Sequence, residues 1–245
     1  RMKSTSVELF ENLLKDEVLI YDGAMGTNLI ALELKNEDYG GKKGCSEALN
    51  LFCPQAVKSV HKSFVEAGCR VIETNTFGAT KITLQEYGLE DRVREINLAA
   101  VRIAKEAIAE CGAGKDKVSK VLLAGSVGPT SLLPSLDKTD FDYMAEAYIE
   151  QFEALTDAGI DLLQIETCQD LLQIKSALFA AQKVFENKKK RCAVVVSVTP
   201  EANGKILVGS DLGAVAAVLE PYDFIDALGI NCSTGPLEMV RHVLK

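Results

Sequence analysis

The sequence predicts an α/β fold: a TIM-type (β/α)8 barrel, interrupted after about six β/α units. Three observations predict it. Short runs rich in Val, Ile and Leu recur along the 245 residues, each followed by a longer stretch with helical period. The runs are apolar at almost every position, as strands buried on both faces of a helix-covered parallel sheet must be. Polar or small residues close nearly every run, at Asp22-Gly23, Thr74-Asn75-Thr76, Gly125-Ser126, Glu166-Thr167 and Asn231-Cys232. In a barrel those ends converge on one central mouth.

The elements follow in order. Arg1-Met2-Lys3-Ser4 reads as a tag remnant leading into an amphipathic stretch, so residues 1–16 are expected to be a remnant and a helix, and residues 17–245 the barrel domain, incomplete at its C-terminal end. Strands are expected at 18–24, 71–77, 121–127, 162–167, 193–198 and 224–232. Helices are expected at 54–67, 91–110, 140–158, 171–186 and 212–219. Pro54 suits a first helical turn and Gly68 a C-terminal cap. Ala147, Tyr148, Phe152 and Leu155 recur at three- and four-residue steps, which makes one face of a helix. Lys188-Lys189-Lys190-Arg191 follows the fourth helix and reads as its solvated, dipole-complementing end. A sixth helix has barely begun at Lys245. A closed barrel needs eight units, so two are expected to be missing, leaving a sheet edge that invites self-association.

A nucleotide-binding open sheet shares the alternation but lacks its loop. There is no G-x-G-x-x-G, and Gly114-Lys115 has neither the preceding Gly nor the following Ser or Thr of a phosphate loop. Lys and Arg total 27 against 35 Asp and Glu, a net charge of −8, which argues against a nucleic-acid partner. No apolar run is long enough to cross a membrane, and the N-terminus has no secretory pattern, so a cytoplasmic location is expected. Seven cysteines, an odd number without C-x-x-C spacing, argue against a disulfide framework.

Few residues offer chemistry. His61 and His242 are the only histidines, too few for a triad or a two-histidine metal site, and read as packing or surface residues. Ser126 lacks the G-x-S-x-G spacing and reads as a small residue where the chain leaves a strand. Glu166 is different. A carboxylate ending a buried strand is costly unless a cation meets it, either a Lys or Arg of the protein or an amino group of a ligand. Asp22 poses the same choice. Cys232 closes the last strand, where a thiolate can act as a nucleophile or a soft metal ligand.

Together, Asp22-Gly23-Ala24-Met25-Gly26-Thr27, Glu66-Ala67-Gly68-Cys69 leading into Glu73-Thr74-Asn75-Thr76-Phe77, Gly125-Ser126-Val127-Gly128-Pro129-Thr130, Ile165-Glu166-Thr167 and Leu228-Gly229-Ile230-Asn231-Cys232-Ser233-Thr234-Gly235-Pro236 resemble the homocysteine S-methyltransferase family. Within it the wording is nearest to the N-terminal modules of cobalamin-dependent methionine synthases. The resemblance implies a barrel that binds homocysteine in its mouth beside a zinc ion held by three cysteine thiolates. Cys232 matches the first ligand and catalytic thiolate; the other two, adjacent in a Gly-Gly-Cys-Cys motif, are expected beyond Lys245. It further implies that Glu166 takes the amino group of homocysteine and that Asp22, Gly23, Ala24, Thr74, Asn75 and Asn231 line the substrate site. Zinc coordination would make the substrate sulfur a thiolate nucleophile that accepts a methyl group.

The absence of Trp, and Gly78 where an aromatic cage would want bulk, disfavour betaine. Methylcobalamin is the expected donor, with corrinoid-binding and methyltetrahydrofolate-binding domains as partners. S-methylmethionine remains an alternative donor, as does a non-catalytic barrel that binds an amino acid or docks a corrinoid protein. An aldolase-like barrel would need a Schiff-base Lys at a strand end, and none of the six runs offers one. Alone, the chain is expected to be inactive and to hold zinc sub-stoichiometrically, with Cys168 the one plausible stand-in ligand.

Overall fold

A computed structural model of the chain describes residues 5–112, 120–136 and 139–244. Residues 1–4, read as a tag remnant, and Gly114-Lys115 lie outside the described residues. The helices are α1 (Thr5–Asp16), α2 (Met25–Ala31), α3 (Leu49–Phe52), α4 (Pro54–Glu66), α5 (Lys81–Leu84), α6 (Val93–Glu110), α7 (Phe141–Ala158), α8 (Leu171–Lys188), α9 (Leu212–Leu219) and α10 (Pro236–Val243). The strands are β1 (Val71–Glu73), β2 (Leu122–Val127), β3 (Leu162–Cys168), β4 (Ala193–Val198) and β5 (Ala227–Ile230).

All strand pairs are parallel and the sheet order is β1-β2-β3-β4-β5. A doubly wound sheet reverses its order at a switch point; this one does not, which is the wall of a barrel. Residues 18–24 extend the wall beyond β1. Tyr21 bridges Val71, Asp22 N–H donates to the Val71 carbonyl at 3.0 Å, and Arg70 N–H donates to the Ile20 carbonyl at 2.7 Å.

The wall has two apolar faces, as its unbroken hydrophobic runs require. On the outer face Ile72, Leu123, Leu163, Ile165, Val194 and Val196 pack beneath the helices with Val101, Tyr148, Phe152, Leu178 and Val184. On the inner face Leu19, Val71, Leu122, Ala124, Leu162, Ala193 and Val195 close on Val7 and Phe10 of α1, which fills one end. Pro54 opens α4, and Gly68, at φ +96°, closes it. Gly68 N–H donates to the Val65 carbonyl and Cys69 N–H to the Phe64 carbonyl, a paired cap that turns the chain into β1.

Several expectations need correction. The run at 18–24 forms no strand, only the bridge at Tyr21, and the last run forms one only over Ala227–Ile230 of the expected 224–232. The second run is a strand only to Glu73, not to residue 77: Thr74 N–H still donates to the Ala124 carbonyl at 2.9 Å, but beyond it the side chains of Asn75 and Thr76 turn to Ser46, Asn50 and the Ser126 carbonyl. The basic run after α8 is not uniformly solvated. Arg191 is buried, its guanidinium gripping both oxygens of Asp226 at 2.6 and 2.9 Å, and Lys188 is ion-paired with Asp157. Among the described residues no helix is long and apolar enough to cross a membrane.

Candidate active site at the barrel mouth

The C-terminal ends of the strands enclose a cavity of about 700 Å³. Asp22, Gly23, Ala24, Glu73, Thr74, Asn75, Ser126, Gln164, Glu166, Thr167, Asn231 and Cys232 all contribute to its lining, so every expected site residue is brought to one place.

A bulge in β3 shapes it. Along this strand Leu162 faces the inner cluster and Leu163 and Ile165 the outer one, so strict alternation would send Cys168 inward. The register instead shifts between Ile165 and Cys168, and Thr167 takes a left-handed φ of +58°, rare for a β-branched residue. The extra residue presents Glu166 and Thr167 to the cavity and turns Cys168 into the outer core. Cys168 therefore cannot stand in as a metal ligand. Its thiol is buried, donates to the Glu166 carbonyl at 3.6 Å, and has its pKa raised by burial.

Glu166 receives two hydrogen bonds, from Ser126 Oγ to Oε1 at 2.6 Å and from Asn231 Nδ2 to Oε2 at 3.3 Å. Ser126 thus does more than let the chain turn. Asn231 is the hub of the site. Its Oδ1 accepts from Thr167 N–H and Ser197 Oγ, both at 3.0 Å. Its Nδ2 lies 2.8 Å from Thr167 Oγ1 and 3.4 Å from Cys232 Sγ. Cys232 is exposed, and both it and Ser233 have left-handed backbones, at φ +59° and +69°.

Thr74 and Asn75 are committed to the wall. Thr76 Oγ1 donates to the Ser126 carbonyl at 2.7 Å, so the 2.6 Å contact between the two threonine hydroxyls has Thr74 as donor, while Thr74 Oγ1 accepts from Ser126 N–H at 3.2 Å. Asn75 Nδ2 donates to the Ser46 carbonyl at 2.8 Å and to Asn50 Oδ1 at 3.1 Å, and Asn50 answers with a 2.8 Å bond to the Asn75 carbonyl. Both amide hydrogens of Asn75 are spent inside the protein. Its neighbour Phe77 lies flat against Gly128, where a Cβ would sit 2.5 Å from the ring.

Sequence reasoning overlooked Glu73. Its carboxylate shares the cavity with Asp22 and Glu166, and among the described residues no Lys or Arg pairs with any of the three. Asp22 Oδ2 accepts from Glu73 N–H at 3.0 Å, while Asp22 Oδ1 is buried without a partner. Burial, helped by the charge of Glu166, pushes the Asp22 pKa up to about 7. Burial and the charges of Glu166 and Asp22 hold Glu73 well above the carboxylate range, and burial raises Glu166 against the pull of its bond to Ser126. The two histidines are packing residues. His61 is fully buried, which lowers its pKa to about 4, and His242 is buried near the end of α10.

Among the described residues no three His, Cys, Asp or Glu side chains are placed to hold a metal ion. Cys232 offers one exposed thiol, and the donor set here does not complete a zinc site.

A sequential parallel wall, with its polar residues gathered at the strand C-termini, defines a barrel with a small-molecule site in its mouth. Residues 19–245 match the family model for homocysteine S-methyltransferase, and the chain belongs to that family. It is 38% identical over 232 residues to methionine synthase of Mycobacterium tuberculosis (strain ATCC 25618 / H37Rv), covering 95% of this chain and 19% of that protein. It is 38% identical over 236 residues to methionine synthase of Mycobacterium leprae (strain TN), covering 96% of this chain and 19% of the other. The chain thus spans about a fifth of the length of these relatives. Among solved structures it resembles the homocysteine methyltransferase MmuM of Escherichia coli. The metallated form superposes with a TM-score of 0.76 at 24% identity, covering 96% of this chain and 81% of that one. The oxidized form gives 0.72 at 26% identity, covering 91% and 76%.

Proposed function

We propose that this chain is the homocysteine-binding barrel of a cobalamin-dependent methionine synthase, a cytoplasmic enzyme in which homocysteine takes a methyl group from methylcobalamin to give methionine. The observation that carries the reading is the cluster of Asp22, Glu73 and Glu166, three carboxylates in one cavity with no cation paired to them among the described residues. An ammonium group is the counter-ion such a cavity lacks. The Mycobacterium relatives, matched along nearly the whole chain, support the methionine-forming reaction.

In this reading Glu166, held by Ser126 and Asn231, receives the amino group of homocysteine, with Asp22 beside it. Gly23 and Ala24 line the entrance, and Thr74 and Asn75 keep the wall rigid behind Ser126. Asn231 ties the amino-group site to Cys232, which directs the substrate sulfur toward the exposed thiol. Cys232 is one zinc ligand, and the remaining thiolates come from outside the described residues. Corrinoid-binding and methyltetrahydrofolate-binding domains are the partners that deliver the methyl group.

The test is methylation of homocysteine by the intact protein, with zinc quantified and three donors compared. Methionine should form with methylcobalamin and not with betaine or S-methylmethionine. Turnover with either of the latter overturns the donor assignment. Homocysteine binding without transfer from any donor would favour a binding module.

A further inference from the structure

The acid at the end of β1 is counted in that cluster, but the reading above gives it no contact with the substrate. Glu73 lines the same cavity as Asp22 and Glu166, and among the described residues the titratable groups lining it are all acids: Tyr21 and Asp22 from residues 18–24, Glu166 from β3, and Glu47 and Cys232 farther around the wall. Three ionised carboxylates in one buried site would place like charges together with no counter-ion, and such clusters retain a proton instead. Two buried oxygens in the cavity also lack a donor. One is Asp22 Oδ1. The other is Gln164 Oε1, on a side chain 6% exposed and two residues before Glu166 on the inward face of β3.

Resting on the amino-acid reading, we infer that Glu73 is a specificity-determining residue of the amino-group subsite: the empty cluster keeps one acid proton, and an entering ammonium displaces it. The exchange balances. The O–H bond of one carboxylic acid breaks, its proton leaves to solvent, and the ammonium enters with its N–H bonds intact. Two carboxylates and one acid become three carboxylates and one ammonium, so the net charge of the buried cluster does not change. A ligand without the amine brings no cation to replace the proton and gains nothing from the third carboxylate. Glu73 therefore makes the site selective for cationic amino ends beyond what Glu166 alone provides.

Calorimetry of the 245-residue chain tests this, with L-methionine as the probe because it carries the amino-acid end and no ionisable sulfur. Titrations at pH 7 in two buffers of different ionisation heat count the protons released. The wild type should release about one, and its affinity should rise about tenfold per pH unit while the cluster remains protonated. Glu73→Gln, which copies the neutral acid, should still bind methionine but release clearly fewer protons than the wild type, with a shallower pH dependence, the remainder coming from Asp22 and Glu166. Proton release from Glu73→Gln equal to that of the wild type overturns the inference. Should the variant fail to fold, the wild-type count decides alone, since binding with no proton released overturns the inference and leaves the amino-acid reading standing. No methionine binding by the wild type overturns both.

Discussion

The two ends of the sheet use one backbone device with opposite electrostatics. At the N-terminal end Asp161 accepts from Leu123 N–H at 3.0 Å and Asp226 from Val194 N–H at 2.8 Å, each carboxylate stitching its strand to the neighbour. At the C-terminal end Asp22 does the same for Glu73 N–H. The difference is the cation. Arg191 grips Asp226, Lys120 lies 3.5 Å from Asp161, and Arg70 pairs with Glu17. Asp22, Glu73 and Glu166 have no such partner among the described residues. A protein that pairs its acids at one end and leaves them bare at the other accepts a loss of stability at the mouth, which is where a ligand can repay it.

The largest expected effect lies at the paired end. Arg191→Ala leaves Asp226 buried and uncompensated, so urea unfolding should show a loss of about 3–5 kcal/mol. The folded protein should keep its affinity for amino acids. A loss below 1 kcal/mol would mean that the pair is not the structural element described.

At the mouth the sign reverses. Glu166→Gln should weaken homocysteine binding by about 2–4 kcal/mol in calorimetry while leaving the unfolding midpoint unchanged or higher. Normal binding in a protein that unfolds readily would make Glu166 a structural residue and erase the contrast between the ends.

Asp22 gives a pH signature. Its folded pKa of about 7 stands above its ordinary value of 3.8, so the folded state holds this proton more tightly than the unfolded chain does. The associated stability is fully present below the ordinary value and is lost as the pH rises through 7. Asp22→Asn removes that loss, since its amide oxygen can still accept from Glu73 N–H. The variant should be about 2 kcal/mol more stable than wild type at pH 8 and no more stable at pH 4, read from thermal melts across that range.

The smallest effect sharpens the comparison from the other side. Lys120 is 58% exposed and its contact with Asp161 is long. Lys120→Ala should therefore shift stability by no more than about 0.5 kcal/mol, because solvent screens such a pair. A larger loss would show that the paired end depends on every cation rather than on the buried one.

Much of the architecture was legible in the sequence, because burial on both faces dictates it. The helix over 212–219 stands where periodicity put it; α6 begins at Val93 and not at 91, α7 one residue late because Asp140 caps it, and α8 begins at Leu171 as expected and runs on to Lys188. The short helices α2, α3 and α5 were not legible, since four to seven residues are too few to show a period. Glu166 stood out as a carboxylate ending an apolar run. Glu73 breaks the run over 71–77 in the same way, so the same criterion applies to it. Cys168 was misplaced because a bulge inverts alternation and leaves no compositional mark. Arg191 read as one more solvated cation because its partner, Asp226, lies 35 positions farther along.

The most direct test of the bare acidic mouth compares L-homocysteine with 4-sulfanylbutanoate, which has the same thiol and carboxylate but no amine. Both are titrated into the chain at pH 7.5 by calorimetry. The account predicts that homocysteine binds at least about a hundredfold more tightly, because only it supplies the missing cation. Equal affinities would contradict it, and would mean that the carboxylates of the mouth are not there to receive an amino group.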